Sequence, residues 1–441
     1  MTRLTLSVII LNWNGRPYLE ACLVAVEAQT VAPDRIILVD NGSSDGSVAF
    51  IRERFPQVIV RENGGNLGFA AGNNAALRDV TTGVVILLNP DVVLSPNTLA
   101  VLAEAMSADP TIGIIGCKLW YPGGELIQHA GGYVTHPQAL PRHYGIGERD
   151  EGQYETARDV EYVIGAAAAL RVAMLDRIGL MDEGFFLYFE DVDLCARARQ
   201  AGYRVVYLPQ ATAIHIESAT AVKGSFAYLQ RFHAGRWRYL LKHFPAEEIA
   251  GPTLTAEADW LDRLAAAERR AVSLAYLMTM RHLPLIWVAR EKEGAGSVSP
   301  DARAAVASGL ASLRAQATHF PAEQPARLSA AAELRERPFT SDVPVLGPLI
   351  ARLRAAWNNV ASRWYLGHLM IQQSEFNQLA VREIERYEIE LHEQMVLLEE
   401  QVVQTAELQQ QIEALEAGLT QLRQTAAGSS SAYEHSPTTR Q

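Results

Sequence analysis

Alternating strand and helix patterns in the first ninety residues restrict the fold of this chain more than any other feature. Short apolar runs rich in β-branched residues, which predict strands, occupy residues 4–11, 35–39, 58–60 and 83–88. Helical patterns separate them, one starting at Pro17 with Leu19, Leu23 and Val26 on its apolar face and another covering residues 68–77. This alternation predicts an α/β fold with a mostly parallel sheet between layers of helices.

The stretch TGVVILLNPD, residues 82–91, carries the first candidate for chemistry. Pro90 cannot donate to a sheet ladder and keeps Asn89 out of helical geometry, so the chain must turn there. Asp91 is thereby predicted at the carboxyl end of a central strand, where open α/β sheets bind ligands. A carboxylate there can hold a divalent cation, which in turn can hold a diphosphate. The alternative is that Asp91 caps a helix opened by Ser95 and Pro96.

Two further loops are predicted at the same edge of the sheet. Residues 40–46 (DNGSSDG) and 63–74 (NGGNLGFAAGNN) are rich in glycine, small residues and amides. Glycines allow a close approach of backbone to ligand, and helix N-termini favour anionic phosphates. The spacing is not GxGxxG, so a dinucleotide fingerprint is absent. The alternative is turn chemistry alone, because the same residue types form ordinary turns.

Three acids, Glu190, Asp191 and Asp193, stand at the start of a predicted helix and follow the aromatic run of residues 185–189. Capping and the helix dipole favour acids at a helix start, which is the simple interpretation. A carboxylate in an apolar cleft is also a candidate general base. His215 lies between two isoleucines of an apolar stretch, and by itself this pattern is typical of a buried histidine.

Three histidines, His129, His136 and His143, recur at intervals of seven. Pro137 and Pro141 exclude a helix through this stretch. We therefore interpret the three as loop residues and not as a metal cluster.

The composition is that of a soluble globular protein, with 49% hydrophobic and 20% charged residues among 441, enough for two or three domains. The net charge of −11 comes mostly from residues 375–423, where eleven Glu accompany three Arg, and nothing suggests a nucleic-acid surface. Three cysteines, Cys22, Cys117 and Cys195, fit a reducing compartment and argue against a disulfide framework or a cysteine zinc site.

The sequence predicts no membrane span and no secretory signal. Residues 276–289 form the best candidate span, but they are too few and include Arg281 and His282. The apolar residues 4–11 run directly into a polar turn at residues 12–14. We therefore predict a cytoplasmic protein.

Over residues 4–245 the chain resembles a family 2 glycosyltransferase of the GT-A fold, especially the bacterial rhamnosyltransferase-like members. Seven motifs carry the resemblance in the family's order: SVIILNWN, LVDNGSSDGS, NGGNLGFAAGNN, LLNPDV, IGAAAALR, MDEGFFLYFEDVDLCAR and AIHIES. Seven motifs in order make it highly specific. The resemblance implies a nucleotide-diphospho-sugar transferase with a mostly parallel sheet between helices.

The resemblance also implies roles on the donor side. The residues implied to bind the nucleotide-sugar are Asn12, Asp40, Asn66, Gly68, Asn73, Asn89 and Asp91. Among them, Asp40 is implied to pair with the base. Asp91 is implied to hold a divalent cation, Mg²⁺ or Mn²⁺, with His215 completing the metal site. Many relatives have aspartate where this chain has Asn89, so one carboxylate fewer approaches the metal.

The resemblance also implies two catalytic residues, Asp191 as the base that deprotonates the acceptor hydroxyl and Glu190 beside it, with Gly165 and Asp193 on the acceptor side. One base without a second nucleophilic carboxylate implies a single displacement with inversion. The expected reaction transfers L-rhamnose from dTDP-rhamnose to a saccharide or lipid-linked saccharide of a surface polysaccharide. The alternatives are a UDP-galactose or UDP-N-acetylhexosamine donor, or a coiled-coil assembly scaffold whose sugar site is inactive.

The sequence after residue 245 predicts four further segments. Residues 246–343 are a helical and linker region, and residues 426–441 a disordered tail. Residues 344–374 contain no acid and predict an amphipathic helix, either peripheral on the inner face of the plasma membrane or packed on protein. Residues 375–425 space apolar residues by three and four, which predicts a coiled coil that joins copies of the chain into a homo-oligomer.

Overall fold

The structure, a computed structural model, describes residues 4–216 and 224–318 together with scattered helical positions between 373 and 394. The chain divides into two compact units, Met1–Phe320 and Pro321–Gln441. The described ranges fall almost entirely in the first unit. The predicted amphipathic helix of residues 344–374, coiled coil of 375–425 and tail of 426–441 lie outside the described residues, apart from those scattered positions.

The predicted alternation of strands and helices is present in the first ninety residues. In chain order the elements are β1 (Leu6–Asn12), α1 (Arg16–Glu27), β2 (Arg35–Asp40), α2 (Ser47–Arg54), β3 (Ile59–Glu62), α3 (Gly68–Leu77) and β4 (Val84–Leu88). The four strands are parallel and lie in the order β3-β2-β1-β4. Because the strands are parallel, the loops that leave their carboxyl ends all lie at one edge of the sheet.

Residues 92–215 add parallel and antiparallel strands to this sheet. They form β5 (Val92–Leu94), α4 (Thr98–Ala108), β6 (Ile112–Trp120), β7 (Ile127–His129), β8 (Gly132–Val134), β9 (Pro141–His143), β10 (Arg158–Asp159), β11 (Ala167–Arg171), α5 (Val172–Ile178), α6 (Glu190–Gln200) and β12 (Arg204–His215). The full order is β10-β12-β6-β11-β4-β1-β2-β3, with β5 beside β12 and β7 beside β6, and β8 and β9 form a separate two-stranded sheet. Since β11 runs antiparallel to both β4 and β6, the sheet is mixed; β1–β4 form one parallel block, and β6 and β12 form a further parallel pair.

The central strands are buried on both faces, as their continuous apolar runs predict. Alternate residues of β1 belong to opposite hydrophobic clusters: Val8 and Ile10 pack in the cluster that contains α1 and α4, and Ile9 packs in the one that contains α6 and α7. Val84–Leu88 is likewise fully buried. Layers of helices on both faces therefore hold the sheet, and its ligand-binding edge, in place.

The helices that come after the sheet belong to the same compact unit. They are α7 (Phe226–His243), α8 (Ala246–Glu248), a π-helical turn (Ile249–Thr253), α9 (Leu254–Leu261), α10 (Ala266–Lys292) and α11 (Pro300–Thr318). Arg290 of α10 donates from Nη1 to the carbonyl oxygens of Leu241 at 2.9 Å and Phe244 at 2.7 Å, which satisfies the end of α7. The compact unit thus continues to Phe320, beyond the Pro245 boundary that the motifs suggested.

One helix among the described residues, the Glu268–Lys292 part of α10, has the length and apolar character that could cross a membrane. It is longer than the stretch of residues 276–289 that the sequence suggested, because the helix continues through its polar ends. More than half of its most apolar window, 56%, is buried within the structure, where α10 packs on α7 and α11. A single helix of this kind, buried to that extent, fits the core helix of a folded unit.

We expect that ending the chain after Pro245 unfolds the first compact unit, whereas ending it after Phe320 does not. The shorter form would expose α7 residues such as Trp237, Leu240 and Leu241, which are fully buried. Exposing large apolar side chains costs roughly 1.5–3 kcal/mol each, and a domain is stable by only about 5–15 kcal/mol. Thermal unfolding of both truncations is the measurement. If residues 1–245 unfold cooperatively at the same temperature as residues 1–320, the helices after Pro245 are not needed for the fold of this unit.

Candidate active site

A cavity of about 390 Å³ lies at the carboxyl ends of the parallel strands. Segments far apart in sequence form its walls, among them the loop after β1, the turn after β4, the segment leading into α6, and the first turns of α7. Eight of the residues predicted for the site line it: Asn66, Gly68, Asn89, Asp91, Gly165, Glu190, Asp191 and His215. The fold therefore brings donor-side and acceptor-side candidates into one space.

Three donor-side candidates, Asn12, Asp40 and Asn73, do not line this cavity and instead shape the loops beside it. Asn12 donates from Nδ2 to Asp40 Oδ1 at 3.0 Å, and Asp40 Oδ2 accepts from the backbone N–H groups of Gly42 and Ser43. Asn73 is buried and donates from Nδ2 to the carbonyl oxygen of Phe69 within α3. Their predicted contacts with the nucleotide stay predictions.

Asp193 is not on the cavity wall, contrary to its predicted acceptor-side place. It is fully buried in a charge network, with Oδ2 2.8 Å from Arg197 Nε and Oδ1 2.6 Å from Lys242 Nζ and 2.8 Å from His243 Nε2. Burial alone would raise the pKa of Asp193, but the nearby Arg197, Lys242 and His243 outweigh it and hold that pKa well below its usual range. The helix period explains the difference, because Asp191 and Asp193 point to different sides of α6.

Asp193, His243 and Glu293 are close enough together to resemble a metal site within the described residues. The ammonium group of Lys242 already lies between them, 2.6 Å from Asp193 Oδ1 and 2.9 Å from Glu293 Oε1. Lys242 also pairs with Asp182 at 2.7 Å. The group is therefore an ion-pair network that joins α6, α7 and α10.

Asp91 and His215 meet at the cavity because β5 pairs with β12. His215 is opposite Val92 in this ladder, and its Nε2 lies 3.4 Å from Asp91 Oδ1. Helix α4 begins at Thr98 with Asn97 at its N-cap, so Asp91 does not cap it, and that alternative is excluded. A carboxylate oxygen and an imidazole nitrogen this close are a donor set that a divalent cation accepts.

Gln128 fixes the ring of His215, and no sequence pattern signals this role. Its Oε1 lies 2.7 Å from His215 Nδ1, and both side chains are buried. A proton on Nδ1, donated to Gln128, leaves the lone pair of Nε2 facing Asp91. Partners of this kind orient metal-binding histidines in many proteins.

Glu190 and Asp191 are turned toward the cavity by two residues in the left-handed region, Tyr188 (φ 74°) and Phe189 (φ 73°). Asp191 accepts from the backbone N–H of Gly165 at 3.0 Å through Oδ2 and from that of Val192 at 2.8 Å through Oδ1. Burial raises the pKa of Asp191, and these two donors partly offset the effect. The result is an oriented carboxylate with increased basicity.

Aromatic side chains form one wall of the cavity, here called the aromatic wall and defined as Phe186, Tyr188, Phe189, Tyr228 and Phe232. The rings of Phe189 and Phe232 are 5.2 Å apart, and those of Tyr228 and Phe232 are stacked at 5.8 Å. Sequence reasoning found the part before α6 but missed α7. The spacing of Tyr228, Arg231 and Phe232 by three and four residues was the available signal.

The prediction that the three spaced histidines lie in loops is wrong for two of them. His129 lies in β7 and His143 in β9, with their Nδ1 atoms 2.8 Å apart, and His143 reaches the cavity. Burial and then the neighbouring imidazole of His143 lower the pKa of His129 well below its usual value. His136 pairs instead with Glu248 at 2.9 Å. Strands as short as three residues carry too little periodicity to be recognised from sequence.

Comparison with known proteins agrees with this geometry. Residues 7–179 match the family described as glycosyl transferase family 2. Over 269 residues the chain is 28% identical to an N-acetylglucosaminyl-diphospho-decaprenol L-rhamnosyltransferase of Mycobacterium tuberculosis, covering 54% of this chain and 88% of the relative. It is 22% identical to the O-antigen chain rhamnosyltransferase RfbN of Salmonella typhimurium, covering 49% and 67%.

Among solved structures, the chain is similar to GalNAc-T7 with UDP, GalNAc and Mn²⁺, with a TM-score of 0.47 and 17% identity over 58% of this chain and 51% of the other. The mixed sheet, its ligand edge and the paired acids define a nucleotide-sugar glycosyltransferase of the GT-A fold. Within that class, residues 7–179 are similar to glycosyl transferase family 2, and the chain is similar to two relatives that are named as rhamnosyltransferases.

Gly68 lies in the loop of residues 63–74 and contacts Phe186 of the aromatic wall. We expect Gly68→Ala to destabilise the protein more than Gly64→Ala. Both glycines have a left-handed backbone, φ 80° and 74°. A Cβ at Gly68 would lie 2.3 Å from the carbonyl oxygen of Phe186, whereas one at Gly64 meets nothing within 4 Å. The backbone strain is shared, and the clash should add about 1–3 kcal/mol. Urea unfolding of the two variants measures the difference. Equal losses would show that the contact at Phe186 carries no constraint.

Proposed function

We propose that the protein transfers L-rhamnose from dTDP-rhamnose, with inversion, to a saccharide or lipid-linked saccharide in the synthesis of a surface polysaccharide. This proposal rests on one observation: the Asp91–His215 pair and Asp191 line the same cavity. The relatives support the sugar and the acceptor class, since both relatives compared above are named as rhamnosyltransferases, and the name of the Mycobacterium tuberculosis relative includes N-acetylglucosaminyl-diphospho-decaprenol.

Asp91 and His215 would hold a divalent cation, Mg²⁺ or Mn²⁺, in this proposal. Their two ligand atoms, 3.4 Å apart, leave most of the coordination shell for diphosphate oxygens and water, which suits cations bound together with a nucleotide. Asn89, also on the cavity wall, adds no charge. When bound, the cation neutralises the charge that develops on the diphosphate leaving group.

Asp191 is the general base of the proposed reaction. Its two backbone hydrogen bonds hold the carboxylate in a fixed orientation, and burial favours proton uptake. The acceptor hydroxyl loses its proton to Asp191 as its oxygen bonds to the anomeric carbon, and the bond from that carbon to the diphosphate oxygen breaks. With one base and one displacement, the anomeric configuration inverts.

We further propose that the protein acts in the cytoplasm, that residues 344–374 contact the inner face of the plasma membrane, and that residues 375–425 join copies of the chain. The last two proposals rest on the acid-free amphipathic pattern and the heptad-like spacing of the sequence. Light scattering and liposome flotation of the full chain against one ended after Phe320 test both. Equal mass and equal flotation of the two forms would reject them.

A donor screen tests the proposed function. We expect the purified protein to consume dTDP-rhamnose faster than UDP-galactose, UDP-N-acetylglucosamine or GDP-mannose. The consumption should fall on the order of 10²–10⁴-fold in Asp191→Asn, because that variant lacks the base. Binding of dTDP, followed by calorimetry, should persist in the variant, since Asp191 need not touch the nucleotide. A preference for a UDP-sugar would show that dTDP-rhamnose is the wrong donor. No turnover of any nucleotide-sugar would favour the scaffold alternative.

Gln128→Leu should weaken binding of dTDP by roughly 10–100-fold in the presence of Mn²⁺ and leave binding without metal nearly unchanged. The physical reason is that His215 loses the partner 2.7 Å from its Nδ1 and no longer holds Nε2 toward Asp91. Asp91→Ala should show the same metal-restricted loss. Gln29→Leu is the matched control, because Gln29 is also buried but does not line the cavity. Calorimetry with and without Mn²⁺ decides, and a Gln128→Leu affinity equal to that of wild type in Mn²⁺ would refute the role.

A further inference from the structure

Glu190 lies on the cavity wall next to the proposed base and has no task in the proposed reaction. Its side chain is 5% exposed. Its Oε2 atom is buried and has no hydrogen-bond partner within residues 4–216 and 224–318. Unpaired buried polar atoms are uncommon and cost free energy, so this one calls for an explanation.

The charges around Glu190 decide which of its protonation states fits. The nearest acid is Asp191, whose two oxygens accept backbone N–H groups, and Asp193 comes two residues after Asp191. The cations on the other side of α6, Arg197 and Lys242, are paired with Asp193. Glu190 thus lies beside the Asp191 carboxylate and the aromatic wall, and it forms no ion pair with a cationic side chain among the described residues.

These surroundings favour different protonation states for the two neighbouring acids, Glu190 and Asp191. Burial, and then the charge of Asp191, raise the pKa of Glu190 well above its usual range. Asp191 is stabilised as an anion by the backbone N–H groups of Gly165 and Val192, whereas in the described part of the chain the only backbone donor beside the Glu190 carboxyl is its own N–H. Pairs of carboxyl groups with such divergent environments are typically divided into one proton carrier and one anion.

We propose that Glu190 is a neutral carboxylic acid that donates a hydrogen bond to an oxygen of the acceptor sugar, next to the hydroxyl that Asp191 deprotonates. A protonated carboxyl group offers one donor and an acceptor oxygen, so it can bind a hydroxyl, a ring oxygen or an amide carbonyl of a saccharide. Bound acceptor would satisfy the buried Oε2. The role is acceptor selection, and it rests on the proposed transfer to a sugar hydroxyl.

This role predicts a particular form of specificity. A site built to hydrogen-bond a substrate group strongly rejects an analogue that lacks the group, since its own buried polar atom is then left unpaired. The acceptor class is therefore a saccharide with a polar substituent beside the reacting hydroxyl. A simple alcohol with one hydroxyl cannot satisfy both carboxyl groups.

Two substitutions separate a hydrogen-bond donor from an anion. Glu190→Gln keeps a donor of similar shape, and Glu190→Leu removes it. With dTDP-rhamnose as donor and an alkyl N-acetylglucosaminyl diphosphate as acceptor, we expect kcat/KM for the acceptor to fall less than about 10-fold in Glu190→Gln and on the order of 10²-fold or more in Glu190→Leu. In Glu190→Leu, transfer to the sugar should fall more than hydrolysis of the donor by water, because a water molecule does not need the hydrogen bond from Glu190.

The controls separate this role from a loss of fold. Glu27→Leu replaces an exposed glutamate of α1 outside the cavity and should transfer at the wild-type rate. Thermal unfolding shows that each variant is folded before its kinetics are compared. Equal losses in Glu190→Gln and Glu190→Leu would mean that the charge is required, and the proposal would be overturned. Equal falls in transfer and in donor hydrolysis would also overturn it.

An infrared measurement tests the proposal without any substrate. The difference spectrum of wild type minus Glu190→Gln at pH 7 should contain the carbonyl stretch of a protonated carboxyl group. A carboxylate band in its place would overturn the proposal. If wild type does not use dTDP-rhamnose or this acceptor, the proposed function fails, yet the infrared band still decides the state of Glu190.

Discussion

The buried charge network around Asp193 is the constraint on which the rest of the site depends. Asp193 is held by Arg197 of its own helix and by Lys242 and His243 of α7, all with little or no exposure. Removing one partner from such a buried network leaves an uncompensated charge, which is typically strongly destabilising. The network fixes the start of α6 against α7, and the first residues of α6 are Glu190 and Asp191.

The same contacts connect the cavity wall to helices that follow the sheet in the chain. Lys242 reaches Glu293 at the end of α10, and Arg290 of α10 satisfies carbonyl groups at the end of α7. Helix α7 also supplies Tyr228, Arg231 and Phe232 to the cavity. Helices that carry no motif residue therefore support the wall that faces the acceptor-side acids, which explains why the compact unit continues to Phe320.

Two kinds of oriented group converge on the cavity, and they differ in how they are held. The Asp91–His215 pair is positioned by a strand ladder and by Gln128, whereas Asp191 is positioned by backbone N–H groups at a helix start. Both arrangements fix these side chains before a substrate binds, which in the proposed reaction would lower the cost of ordering them. The aromatic wall of the same cavity strengthens these interactions by excluding water.

The sequence by itself determined the strands of the parallel half, the carboxyl-edge loops, and the residues Asp91 and Asp191, because strand periodicity, the turn at Pro90 and a helix start are local properties. The motif resemblance added His215, which pattern alone would have left as an ordinary buried histidine. Only the tertiary structure decided that Asp193 turns away into a charge network, that Gln128 supports His215, and that His129 pairs with His143. These outcomes depend on strand pairings and helix packing between residues far apart in the chain, and no local pattern in the sequence encodes such contacts.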